Sequence, residues 1–137
     1  MTAEVKNSST VLLVDDDVIG RHLLSEYLRH CGYMVIEAAT ADEALVVLQS
    51  KDVLVHVVLS GVEMRGDAGG FDLAKWVRTN RQNIDVILAA TLNRAADVAG
   101  DLCEEGPLSK PYEPQVVVDR IKRLRAARSA KTKDKTE

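Results

Sequence analysis

Residues 11–17 read Val11-Leu12-Leu13-Val14-Asp15-Asp16-Asp17, a short apolar run that stops in three carboxylates. A continuous Val- and Leu-rich run suits a strand buried on both faces. Its acidic stop marks the carboxyl end of that strand, the edge at which α/β sheets place ligands. Adjacent carboxylates repel one another unless a cation lies between them. Hard oxygen donors beside an open edge suit Mg²⁺, which keeps most of its own waters. The same residues also suit the cap of a following helix, whose positive end favours acid. The triple by itself leaves both readings open.

Working outward, the sequence predicts further strands at Met34–Ala38, Leu54–Ser60, Val86–Ala89 and around Leu108. Helical patterns separate and follow them at Val18–His30, Ala41–Gln49, Phe71–Thr79, Ala95–Glu104 and Pro114–Ala127. In the first, Ile19, Leu23, Leu24, Tyr27 and Leu28 recur at helical spacing, and Gly32 is placed to stop it. The second opens on Thr40-Ala41-Asp42-Glu43, the pattern of a capping box. The last has Pro114 at its first position and a stripe of Val117, Val118, Ile121 and Leu124. Strict alternation of strand and helix implies an α/β fold: a doubly wound parallel sheet with right-handed crossovers, five βα units using nearly the whole chain. The Gly-rich stretch from Arg65 to Gly70 lacks the spacing of a phosphate-binding loop and is expected to be a flexible connector.

A chain of 137 residues is one domain by length, and 46% apolar with 28% charged residues is an ordinary globular balance. No apolar run approaches the roughly 20 residues that span a bilayer, and no secretory h-region precedes residue 9, so a cytoplasmic location is expected. Cys31 and Cys103 fit no metal or redox spacing and are expected to be reduced. The net charge is −3, yet residues 122–137 hold seven basic residues against two acidic. That basic segment lacks aromatics, so residues 128–137, like 1–8, are expected to be solvated and disordered, with 9–127 as the folded domain. His22, His30 and His56 are scattered, and His56 is expected to be a satisfied core or sheet-edge residue. Trp76 falls inside a helix pattern and is expected in the core. No nucleophile–base arrangement is visible, so no enzyme is expected.

Four segments taken together carry a resemblance. Val-Leu-Leu-Val-Asp-Asp-Asp, Ala-Ala-Thr-Ala-Asp-Glu-Ala-Leu, Val-Val-Leu-Ser-Gly-Val-Glu-Met and Leu-Ser-Lys-Pro-Tyr resemble, in order and spacing over residues 9–127, the receiver domain of bacterial two-component response regulators. The resemblance implies a flavodoxin-like sheet with strand order 2-1-3-4-5. It also implies a pocket where Asp15 and Asp16 hold Mg²⁺, helped by a backbone carbonyl near Glu63. Lys110 would pair with a phosphoryl group, and Lys110-Pro111 falls where the family often has a cis peptide. Metal and lysine would neutralise the oxygens of a phosphoryl group in transfer.

The match is incomplete at the reacting position. The family's phosphoacceptor aspartate falls on Gly61, which has no side chain to attack phosphorus or complete a metal's coordination. The Thr/Ser switch position falls on Ala90, with Thr91 one residue late, and the switch aromatic falls on Pro107. The resemblance therefore implies a degenerate receiver that binds Mg²⁺ weakly and acts by protein–protein contacts in a phosphorelay. Lys110 is then expected to form an ion pair with Asp15 or Asp16 in place of the missing cation. Its partners would be a histidine kinase or other signalling protein, or a second copy through the fourth helix, fifth strand and last helix. Residues Arg94, Asp97, Asp101, Asp119, Arg120 and Arg123 would supply charges on that face.

Two alternatives stay open. One is an active phosphoacceptor, with the aspartate replaced at Gly61 or its role moved to Asp16, Asp17, Ser60, Glu63 or Asp67. A change at Gly61 alone leaves Ala90 and Pro107 unexplained, and nothing in the sequence supplies Ser60 with a base. The other is a flavodoxin-like domain binding a small ligand, against which the acidic cluster weighs. Neither a membrane nor a nucleic-acid partner is expected.

Overall fold

The computed structural model describes residues 9–64, 69–91 and 108–136. The chain order is β1 (Thr10–Val14), α1 (Val18–His30), β2 (Met34–Ala38), α2 (Ala41–Gln49), β3 (Val57–Gly61), α3 (Gly70–Asn80), β4 (Asp85–Thr91), β5 (Leu108–Lys110) and α4 (Pro114–Thr136). The five strands form one parallel sheet in the order β2-β1-β3-β4-β5. That is the expected architecture and strand order. The helix expected at Ala95–Glu104, the switch position Pro107, Cys103, and residues 65–68 lie outside the described residues.

Period-two alternation along β1 sends its side chains to two separate cores. Val11 and Leu13 pack with Leu24 and Leu28 of α1 and with Val117, Val118 and Ile121 of α4. Leu12 and Val14 pack on the other face with Ala44 and Leu48 of α2 and with Leu73 and Val77 of α3. Trp76 packs against this second core, as expected. All of β1 is buried, which explains an apolar run without polar alternation. Burying one such Leu or Val contributes about 1.5–3 kcal/mol, so the central strand anchors everything placed at its ends.

Local chemistry sets the boundaries. Asp17 caps α1 by accepting from the Gly20 amide at 3.3 Å. At the other end Gly32 adopts φ 96°, and the amides of Gly32 and Tyr33 return to the carbonyls of Arg29 and Leu28. This is a Schellman stop, which glycine enters without Cβ strain. In α2, Thr40 Oγ1 accepts from the Glu43 amide at 3.1 Å, while Glu43 Oε1 accepts from the Ala39 amide at 2.7 Å.

Three expectations are corrected. Strand β3 starts at Val57 and not at Leu54, because the flanking strands only begin at Thr10 and Asp85. Leu54 is 65% exposed with no ladder to join. Gly69 and Gly70 are not a flexible connector. Gly69 caps α3, its amide donating to Asp72 Oδ2 at 3.2 Å, and Gly70 is the first helical residue. The last helix does not end at Ala127 but runs to Thr136. Arg128 holds it down by a forked pair to Asp85, with Nη2 at 2.8 Å and Nε at 3.3 Å, and a further bond to the Gln82 carbonyl. Among the described residues no helix is long and apolar enough to cross a membrane.

Candidate functional site

The carboxyl ends of β1, β3 and β5 bring three of the expected residues together. Asp15 follows the last residue of β1 and is 1% exposed. Its amide continues the ladder to the Ala38 carbonyl, and its own carbonyl accepts from Arg21 Nη1 at 2.6 Å. Arg21 also binds Glu37 at 2.8 Å, so one guanidinium ties the acidic turn to β2. The Asp15 carboxylate is then enclosed by donors. Oδ1 accepts from the Asp17 amide at 2.9 Å, while Oδ2 accepts from the Tyr112 hydroxyl at 2.6 Å and lies 2.9 Å from Lys110 Nζ.

These contacts decide its charge. Burial alone would push the Asp15 pKa up, but the Tyr112 hydroxyl, the Asp17 amide and the Lys110 ammonium outweigh it and hold it below the usual carboxylate range. The carboxylate therefore stays ionised at neutral pH. Burial and the adjacent Asp15 charge push the Tyr112 phenol upward, so its hydroxyl remains a donor. A buried ion pair must recover its desolvation through good geometry and filled hydrogen bonds, and Asp15 has both. Lys110 Nζ also sits 5.8 Å from the Tyr112 ring centroid, at the outer limit of a cation–π contact.

Gly61 ends β3 one strand away, in register with Ala89. A Cβ built there would lie 2.8 Å from Lys110 Nζ, 3.6 Å from Lys110 Cε and 3.6 Å from the Glu63 carbonyl. The ammonium thus occupies the space into which a side chain at position 61 would grow. Glu63 presents its carbonyl to the same space. Ser60 is fully buried and donates Oγ–H to the Gly61 carbonyl at 3.0 Å, an arrangement without a base. Ala90 is buried in a small cluster with Val62, Ala74 and Leu88. Thr91 stands in register with Lys110. The Lys110–Pro111 peptide is cis.

As arranged, these donors do not fit a divalent cation. Asp15 has both oxygens engaged, Gly61 contributes none, and among the described residues no group of three His, Cys, Asp or Glu side chains is placed to hold a metal. Asp16, next to Asp15, is half-buried, and the Glu63 carbonyl faces the space at Gly61.

Two residues of this site escaped the sequence reading. Tyr112 was visible only as the end of Leu-Ser-Lys-Pro-Tyr. The available signal was a phenol next to a lysine expected at a buried acid, since a buried Tyr hydroxyl needs a partner. Arg21 gave no signal, because its two contacts depend on how α1 lies over β2.

Residues 11–122 match the family model for the response regulator receiver domain. The chain belongs to that family. The receiver is 31% identical over 125 residues to the transcriptional regulatory protein GltR of Pseudomonas aeruginosa, covering 86% of this chain and 49% of that protein. It spans about half the length of the first curated relatives it matches. Among solved structures it is similar to the chemotaxis response regulator CheY4 of Vibrio cholerae. The TM-score is 0.73 at 28% identity, over 86% of this chain and 99% of that one. A receiver domain protein from Methanospirillum hungatei shares the fold, with TM-score 0.76 at 21% identity over 91% and 99% of the two chains.

Proposed function

We propose that this receiver serves two-component signalling as a degenerate module, acting through protein–protein contacts without phosphorylation of an aspartate at the acceptor position. The observation that carries the reading is the Lys110 ammonium, paired with Asp15 at 2.9 Å and 2.8 Å from where a Cβ on Gly61 would stand. Receivers of this family commonly bind Mg²⁺ between an acidic pair and the acceptor. Here a cation already belonging to the chain takes part of that volume, so Mg²⁺ binds weakly. In this reading the role is not enzymatic.

A contact role is supported by Val18, Ile19 and Leu23, which stand 61%, 74% and 65% exposed on the first turns of α1, beside the acidic turn. Large apolar side chains clustered in water mark interaction surfaces. The partner of this reading is a histidine kinase or another signalling protein. A second copy could use the face of β5 and α4, where Val116 is 46% exposed. Exposed charges there, Asp119 among them, would set specificity more than affinity.

The test is intact-protein mass after incubation with Mg²⁺ and acetyl phosphate, beside Gly61→Asp. The unaltered chain should gain no phosphoryl adduct. The variant should gain one, because only the tip of a flexible lysine has to move aside for the new side chain. An adduct on the unaltered chain would overturn the reading, and mapping it would show which residue serves instead.

A further inference from the structure

We propose that Tyr112 latches the acidic pocket, making it the residue that keeps Asp15 Oδ2 closed to divalent cations. This rests on the degenerate reading above and adds the residue that keeps the pocket closed. The Tyr112 hydroxyl and the Lys110 ammonium share Asp15 Oδ2 at 2.6 and 2.9 Å, while the Asp17 amide takes Oδ1 at 2.9 Å. A carboxylate offers about four lone-pair sites, and three are filled here by donors of this chain. A cation reaching Oδ2 at about 2.1 Å must displace one of its two donors, and the single site left on Oδ1 lies beside the Asp17 amide.

The three differ in how easily they leave. Lys110 is held at the end of a flexible stem and can withdraw toward solvent, its side chain being 21% exposed. The Asp17 amide is fixed by the start of α1 but leaves the other oxygen open. Tyr112 turns on only two side-chain torsions, and its ring packs against the core formed by α1, α4 and the sheet. Moving its hydroxyl off Asp15 means either repacking that ring or leaving a phenol without its acceptor. Lysine therefore supplies a positive charge at Asp15, and tyrosine supplies the rigidity that keeps Oδ2 covered.

The experiment is Mg²⁺ titration calorimetry on the full chain and on Tyr112→Phe, which keeps the ring and removes only the hydroxyl. The variant should bind Mg²⁺ about tenfold more tightly or better, the equivalent of one hydrogen bond to a charged acceptor. Equal affinities would overturn the latch. A second reading needs no variant: in NMR at high Mg²⁺, the Tyr112 ring and Asp15 carboxyl resonances of the unaltered chain should shift together. Asp15 moving while Tyr112 stays still would also overturn it. Both outcomes are separable from the phosphorylation test. Acetyl phosphate labelling of the unaltered chain removes the degenerate reading, whereas unchanged Mg²⁺ affinity in Tyr112→Phe removes only the latch.

Discussion

At Gly70 the first turn of α3 lies directly on the backbone of β3. A Cβ there would run into the Gly61 carbonyl oxygen and come within 3.0 Å of Val62 Cα, while the Gly70 amide donates to the Val62 carbonyl at 3.1 Å. Backbone cannot withdraw as a side-chain tip can. Gly70→Ala should therefore lower stability by about 1–3 kcal/mol, the usual cost of forcing atoms into a filled space. Gly61→Ala meets only the lysine tip and should cost clearly less. Urea midpoints for the two variants check this, and equal losses would contradict it. The two glycines differed in how legible they were. Gly61 stood at the end of an apolar run inside a recognisable motif. Gly70 sat in a Gly-rich stretch read as a connector, because its contact joins a helix start to a strand end and leaves no periodic trace.

His56 works at the level of elements, stitching the amino ends of β1, β3 and β4. Its amide donates to the Thr10 carbonyl at 2.9 Å, its carbonyl accepts from the Asp85 amide at 3.1 Å, and its ring Nδ1 accepts from the Thr10 amide at 2.9 Å. A backbone amide can only donate, so Nδ1 must carry a lone pair and the neutral ring holds its proton on Nε2. Burial, then the positive charge of Arg125, push the His56 pKa down. A base whose folded pKa lies below its unfolded value of about 6.5 is protonated first in the unfolded chain. Its contribution is thus present above about pH 6.5 and is lost as pH falls toward the folded pKa. Thermal unfolding at about pH 7.5 and about pH 5.5 should show this loss. His56→Asn keeps an acceptor that does not titrate and should flatten the dependence. An unchanged slope in the variant would assign the effect elsewhere. The sequence read His56 as satisfied, which holds. It could not name the partner, nor see that Arg128 would pin α4 to Asp85, because both pairings span more than 40 residues.

For the molecule as a whole, alternation of strand and helix was enough to derive a parallel sheet with two buried faces. The motif residues then placed Asp15, Gly61 and Lys110 at one edge of it. What stayed hidden was how those residues pair, since Tyr112 and Lys110 reach Asp15 across nearly a hundred positions and are ordered by packing, not by pattern. The sheet also separates its two polar ends. Asp15 with its latch lies beyond one end of β1, and the Thr10–His56 pair lies at the other. Five residues of strand put about 16 Å between them. Substitutions at Tyr112 and His56 should then sum in a double-mutant cycle to within about 0.5 kcal/mol. Substitutions at Tyr112 and Lys110, which share one oxygen, should not. A chemist can therefore retune the acidic end of this strand without disturbing the acid response of the other, as if the two belonged to separate proteins.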